Sequence, residues 1–363
     1  MCTSCQLPKL DESATDQFAE RLLDVLNHGA LATMISIGHR TSLFDTMKSL
    51  PPSTSHEIAE AASLDERYVR EWLGAMVTGS IVDYDPSSDC YELPAAHAAC
   101  LTREAAPNNM AAFAQYIPLF GTVEDGIISC FEEGGGLPYS AFPRFQTVMA
   151  EDSGQSVLPA LVEHILPLVP GIVGKLRDGI DVLDVGFGRG KALNLMAKTF
   201  PNSRFTGYEI SAEGVRFAQA EAEATGLTNV RFEIKDAAEF DDCEAFDLIC
   251  TFDSVHDQAD PDALLRNIRR ALRPDGVYLM QDIDASSNVG GNVDHPMGTL
   301  LYTISCMHCM TVSLAEDGQG LGAMWGVEVA EERLQGAGFS STEIHRLPHD
   351  IQNAYFINRK QCA

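Results

Sequence analysis

The sequence predicts an α/β protein with a nucleotide-binding sheet in its C-terminal half and a helical N-terminal part. Three observations predict it. Residues 180–209 read strand, glycine-rich turn, helix and strand. Strand and helix patterns continue to alternate beyond them, as in a parallel sheet covered by helices. The first hundred residues instead carry apolar positions at helical spacing, with one candidate hairpin.

Composition sets the bounds. A chain of 363 residues with 45% hydrophobic content can build two domains, or one large domain with an appendage. The formal charge of -27, from 52 acidic against 25 basic residues, repels phosphate backbones and anionic surfaces, so neither nucleic acid nor membrane is expected as a partner. The N-terminus has no basic start followed by an apolar core, and no apolar run of bilayer length is evident; a cytoplasmic location is expected. Ten scattered cysteines read as reduced thiols. Cys2 with Cys5, and Cys306 with Cys309, have zinc-ligand spacing, but the first pair sits in the terminal tail and the second in an apolar stretch, so no metal is expected.

Residues 11–47 read as helices with Phe18, Leu22, Val25 and Leu26 on one face, a wide apolar surface that needs a partner. Thr54 and Glu57 have capping-box spacing at the head of a short helix. A second helix carries Val69, Trp72, Leu73 and Met76 and stops at Gly79; residues 81–84 and 90–93 then read as a hairpin. Helix, turn, helix and hairpin make a winged helix. Between residues 55 and 93, however, nine acids face two bases, which is the wrong charge for DNA. Residues 105–173 form a helical connector broken by glycines and prolines. Its aromatics, Phe113, Tyr116, Phe120, Tyr139, Phe142 and Phe145, read as core or, as a group, as a substrate wall. Tyr139 and Arg144 bring polar groups into that run.

The centre of the chain is the loop after residues 181–185. Gly186, Gly188 and Gly190 remove side chains where backbone must turn sharply or lie against a ligand, and the following helix points free N–H groups at it. A dinucleotide fingerprint needs its third glycine at position 191, where Lys191 stands. The pattern present is Asp184-x-Gly186-x-Gly188-x-Gly190, with Glu209 ending the next strand, where an acid suits ribose hydroxyls.

This pattern resembles motif I of the class I S-adenosylmethionine-dependent methyltransferases, and the order of elements resembles small-molecule O-methyltransferases, which carry a winged helix used for dimerisation. The resemblance implies a Rossmann-like, seven-stranded methyltransferase sheet over residues 176–363, a winged-helix dimerisation domain over 1–104, and a connector over 105–175 that contributes to a substrate pocket between domains. It implies S-adenosylmethionine as cofactor and S-adenosylhomocysteine as product. Asp184, Gly186, Phe187, Gly188 and Gly190 would then hold the methionyl part, Glu209 and Ile210 the ribose side, and Asp236 with Ala237 the adenine. Asp253 would also border the cofactor. Val255-His256-Asp257 resembles the segment in which the family's histidine is the general base, although Gln258 stands where the family has tryptophan. His256 and Asp257 are the catalytic candidates; a histidine there can accept a proton near neutral pH.

The rest of the chain adds candidates and alternatives. An Arg-Pro-Asp-Gly turn at residues 273–276 leads into a strand closed by Asp282 and Asp284, which orient a substrate or cap the next segment. Residues 286–325 form a long insertion rich in Met and Cys, expected to be a helical cover over the pocket. Met307 and His308 are its substrate-contact candidates, His308 equally a core histidine. A last helix and two strands complete the sheet. The expected function is methyl transfer to a hydroxyl of a small molecule by a homodimer joined through its N-terminal helices. The alternatives are transfer to nitrogen, sulfur or carbon by positioning alone, and a regulator that senses S-adenosylmethionine.

Overall fold

The computed structural model describes residues 11–155 and 157–360, so the Cys2 and Cys5 pair lies outside the described residues. The chain divides into two compact units, Met1–Pro118 and Leu119–Ala363.

In the first unit a 29-residue helix, Glu12–Arg40, starts where the Asp11 side chain accepts the Ala14 N–H. The Thr54 and Glu57 capping box is formed and opens the helix Ser55–Ala62. Asp65 caps the helix Glu66–Thr78, whose Val69, Trp72, Leu73 and Met76 enter the core with Phe44 and Ile58. Trp72 anchors it by donating from its indole N–H to the Met34 carbonyl at 2.9 Å. The hairpin is shorter than the pattern of residues 81–84 and 90–93 predicts: β1 is Asp83–Asp85 and β2 is Cys90–Glu92. Ile81 and Val82 instead bond back to Met76 at the end of the helix, and Val82 is buried there, so packing overrides the strand pattern. On the long helix Phe18, Leu22, Val25 and Leu26 are exposed, Leu26 at 70%.

The second unit is built on a seven-stranded sheet. Its strands are β3 (Asp181–Val185), β4 (Arg204–Glu209), β5 (Val230–Ile234), β6 (Phe246–Phe252), β7 (Leu272–Ile283), β8 (Phe339–His345) and β9 (Asn353–Lys360), in the order β5-β4-β3-β6-β7-β9-β8. Only β9 runs antiparallel to its neighbours. Alternate residues of each strand enter different cores. Leu183, Ile249, Tyr278 and Phe356 pack on one face with Leu264 and Ile268 of the helix Pro261–Ala271. Val182, Leu248, Leu279 and Ile357 pack on the other with Leu193 and Met196 of the helix Lys191–Thr199. Both faces are therefore dry, which a parallel sheet requires.

The residues expected as a turn, Arg273 to Gly276, lie inside β7, with a register irregularity against β6 between Phe246 and Leu248. Arg273 explains the difference: its guanidinium bonds Asp181 and Asp247, tying the start of β7 to β3 and β6. The insertion is helical, Gly298–Ile304 and Met310–Ala315 joined by a π-helical turn at Ser305–Cys309. The run Gly298–Ala315 is long and apolar enough to cross a membrane by length and composition. Its Leu301, His308 and Thr311 are buried within the unit, the pattern of a core helix.

Candidate active site

The strand order reverses at β3, and a crevice opens beyond the carboxyl ends of β3, β4 and β6. It is a cavity of about 780 Å³. Every residue that lines it belongs to the second unit.

One half is built by the glycine loop. Gly186 has φ +73°, and a Cβ there would stand 2.6 Å from that of Ser254, so only glycine fits. The Gly188 N–H donates to Glu209 at 2.8 Å, and the Ser211 N–H donates to the other oxygen of that carboxylate at 2.9 Å. Burial nevertheless pushes the Glu209 carboxyl above its ordinary range, against the pull of those N–H groups. Asp184 is 1% exposed, and burial, with Glu209 nearby, lifts its pKa to about 8. Asp236 and Ala237 line the same half, Asp236 also accepting the Ala238 N–H at 2.7 Å. Phe187 and Ile210 complete the lining on this side.

The other half is apolar. Tyr139, Phe142, Phe145, Met149 and Phe252 line it, and Arg144, at φ +68°, lies among them. Between the halves stands the end of β6. Asp253 takes φ +49° and accepts from Gln281 at 2.7 Å; burial first, then Asp282, pushes its carboxyl well above the ordinary range. Asp257 lines the cavity, and its pKa is lifted to about 6, by burial chiefly, while the charge of His256 pulls it down.

His256 lies behind this lining at 3% exposure. Its Nδ1 meets Asp282 Oδ1 at 2.7 Å, and the same oxygen accepts from the Trp325 indole at 3.0 Å and the Ile283 N–H at 2.8 Å. Burial disfavours a charged imidazole, yet Asp282 outweighs it and holds the ring proton well above the usual histidine range. Of the two sequence readings of Asp282, orienting or capping, the structure shows it orienting His256. Asp284 instead pairs with Arg346 at 2.6 Å.

The structure separates Met307 from His308. They are neighbours on a helical turn and so point to different sides. Met307 lines a second cavity of about 630 Å³ with Ile128, Phe131 and Tyr302, whereas His308 is buried behind Tyr139, Phe142 and Phe145. Phe113 and Tyr116 belong to the first unit, apart from the other aromatics of the expected wall. Sequence reasoning missed Arg189, Gln146 and Ser254, all lining the main cavity. Arg189 stood inside the glycine motif and was legible there; Trp325 left no signal. Among the described residues no cluster of His, Cys, Asp and Glu has the arrangement of a metal site.

Residues 176–310 match a family described as a methyltransferase domain, and residues 29–103 match one described as an Rv2258c-like winged HTH domain. This chain joins a winged helix to a methyltransferase domain. The methyltransferase part is also similar to curated proteins. A fatty-acid O-methyltransferase of Mycolicibacterium smegmatis is 31% identical over 105 residues, 29% of this chain and 38% of that protein. An (S)-coclaurine N-methyltransferase of Papaver somniferum is 27% identical over 109 residues, 30% of this chain and 31% of that protein. The chain thus spans about a third of the length of these relatives. Solved structures match along almost the whole chain. Human N-acetylserotonin methyltransferase in complex with S-adenosylmethionine has a TM-score of 0.69 at 16% identity, covering 98% of this chain and 100% of that one. The mitomycin 7-O-methyltransferase has a TM-score of 0.68 at 19% identity, covering 96% and 100%. At such identities the likeness establishes the fold.

Proposed function

We propose that this protein transfers a methyl group from S-adenosylmethionine to a hydroxyl of a small molecule. One observation carries the reading: a single cavity joins an acid-and-glycine half to an aromatic half, with Asp257 at the border. The residues fit the cofactor. Among the described residues Asp184 Oδ1 and Asp253 Oδ1 are buried without a hydrogen-bond partner. A Cβ on Gly188 would meet only Gln146 Oε1, at 3.6 Å, so the loop leaves open space. Asp184 and the loop would hold the methionyl part, Glu209 the ribose hydroxyls, for which its carboxylate has lone pairs to spare, and Asp236 with Ala237 the adenine. When bound, S-adenosylmethionine supplies a methyl group on a positively charged sulfur.

The chain's own residues do the rest. Tyr139, Phe142 and Phe145 exclude water and fix the acceptor's approach. Asp257 faces the cavity with a carboxyl that empties near pH 6, and accepts the hydroxyl proton. His256, held by Asp282 and Trp325, sets the charge beside Asp257 and takes the proton onward once it has itself lost one. A nitrogen or carbon acceptor would need positioning only, and the poppy relative, an N-methyltransferase, keeps that reading open. The pH profile separates them: a rise through about pH 6 belongs to the hydroxyl reading.

Two further proposals concern the whole protein. A homodimer through the N-terminal helices is supported by the exposed stripe Phe18, Leu22 and Leu26. A cytoplasmic location is supported by the free thiols at all described cysteines, among them buried Cys250 and Cys309. The experiment for the main reading is release of S-adenosylhomocysteine from S-adenosylmethionine across a panel of phenols, thiols, amines and carboxylic acids. Turnover with phenols supports it; turnover confined to amines would replace it with the nitrogen reading.

A further inference from the structure

His308 is fully buried, and among the described residues neither ring nitrogen has a hydrogen-bond partner. Histidine always carries at least one N–H donor, and a buried donor left unmade costs stability that packing must offset. Native interiors rarely keep such a group without a use for it.

Its surroundings indicate the use. Phe145 lies flat on the imidazole, 3.4 Å between centroids and 8° between planes, while Phe142 and Tyr139 stand edge-on at 4.7 and 5.0 Å. All three of these rings line the main cavity, so they form a partition one ring thick between it and His308. The partition sits on a segment that is not a regular helix. It begins after Gly134 and Gly135, both at positive φ, contains Pro138 and Pro143, and reaches the helix Phe145–Gln155 through Arg144 at φ +68°. Leu137 is tied to the insertion by its N–H donating to Thr311 Oγ1 at 2.8 Å, and a Cβ on Gly136 would fall 2.0 Å from the Thr311 carbonyl oxygen. The strap is thus pinned at its start, and the rings beyond the pin are the part free to re-pack.

We propose that His308 is a specificity-determining residue: the acceptor is a planar aromatic molecule that enters the ring stack at Tyr139, Phe142 and Phe145 and brings a carbonyl or similar oxygen to the His308 N–H. The acceptor class is then a hydroxylated polycyclic aromatic with a second, hydrogen-bond-accepting substituent. This rests on the methyl-transfer reading and adds to it the identity of the acceptor. Burial and the nearby charge of His256 keep the His308 imidazole neutral, with one nitrogen protonated, which suits a neutral carbonyl partner better than an ammonium group.

The test is calorimetric binding of 2-naphthol and of its 3-acetyl and 6-acetyl derivatives to the full chain saturated with S-adenosylhomocysteine. At least one acetyl derivative is expected to bind about fivefold or more tighter than 2-naphthol, because it satisfies the buried donor. In His308→Phe, which keeps a flat ring in the stack, that ratio falls to about one, while His308→Gln, which keeps a donor, retains part of it. Unchanged affinity for S-adenosylhomocysteine in both variants shows that they are folded. A ratio near one in the parent protein, an equal ratio in His308→Phe, or no binding of any naphthol overturns the proposal and leaves the methyl-transfer reading standing. No binding of S-adenosylhomocysteine by the parent overturns both.

Discussion

Replacing Asp184 by asparagine tests the cofactor half of the cavity with a number attached. The carboxyl is buried at the end of β3, next to Glu209, with a pKa of about 8. At pH 7 it holds a proton in about nine-tenths of ligand-free molecules. The ammonium of the methionyl group would favour the ionised form, so binding releases about 0.9 proton at pH 7 and about 0.1 at pH 9. Affinity therefore climbs about tenfold between those values, since ionising the group costs about 1.4 kcal/mol at pH 7. Titration with S-adenosylhomocysteine in two buffers of different ionisation enthalpy measures the proton count. Asp184→Asn keeps the shape but cannot ionise: its proton release at pH 7 should fall by about 0.9, and affinity at pH 9 by about 1.5–3 kcal/mol, the worth of a hydrogen bond to a charged group. Equal proton release in both proteins would refute the placement of the ammonium at Asp184.

Three other outcomes are expected. With a phenol acceptor kcat/KM rises as pH passes through about 6, because Asp257 accepts protons only when ionised; His256→Gln removes a charge that lowers this pKa and moves the rise to higher pH, measurable in a pH–rate profile. Leu279→Ala leaves a hole under β7, where Leu279 is fully buried, and should cost about 2–5 kcal/mol in urea unfolding. Leu22→Asp with Leu26→Asp places charges on the exposed stripe and should shift the protein from dimer to monomer in sedimentation while leaving the fold, judged by circular dichroism, intact.

The features legible in the sequence were those set by local repetition. The Asp184 to Gly190 loop, the capping box at Thr54 and the alternation of strand residues each come from a short-range rule, and the structure forms them where the pattern placed them. Residues 273–276 looked like a turn because Pro-Asp-Gly is turn chemistry; ion pairs from Arg273 to Asp181 and Asp247, 92 and 26 residues away, hold them in a strand instead. The environment of His256 was not legible for the same reason. Its partners Asp282 and Trp325 come from β7 and from the end of the insertion, and no spacing rule connects them. The divergence of Met307 and His308 is a consequence of helical geometry, but which of them faces the aromatics depends on how the π-helical turn docks.

If the cavity beyond β3, β4 and β6 holds S-adenosylmethionine, the most direct measurement is a calorimetric titration of the full chain with that cofactor, repeated with Glu209→Gln. One molecule bound per chain, with clearly weaker binding in the variant, is the expected result. Absence of binding at millimolar cofactor, or binding unaffected by the loss of the Glu209 charge, would contradict it.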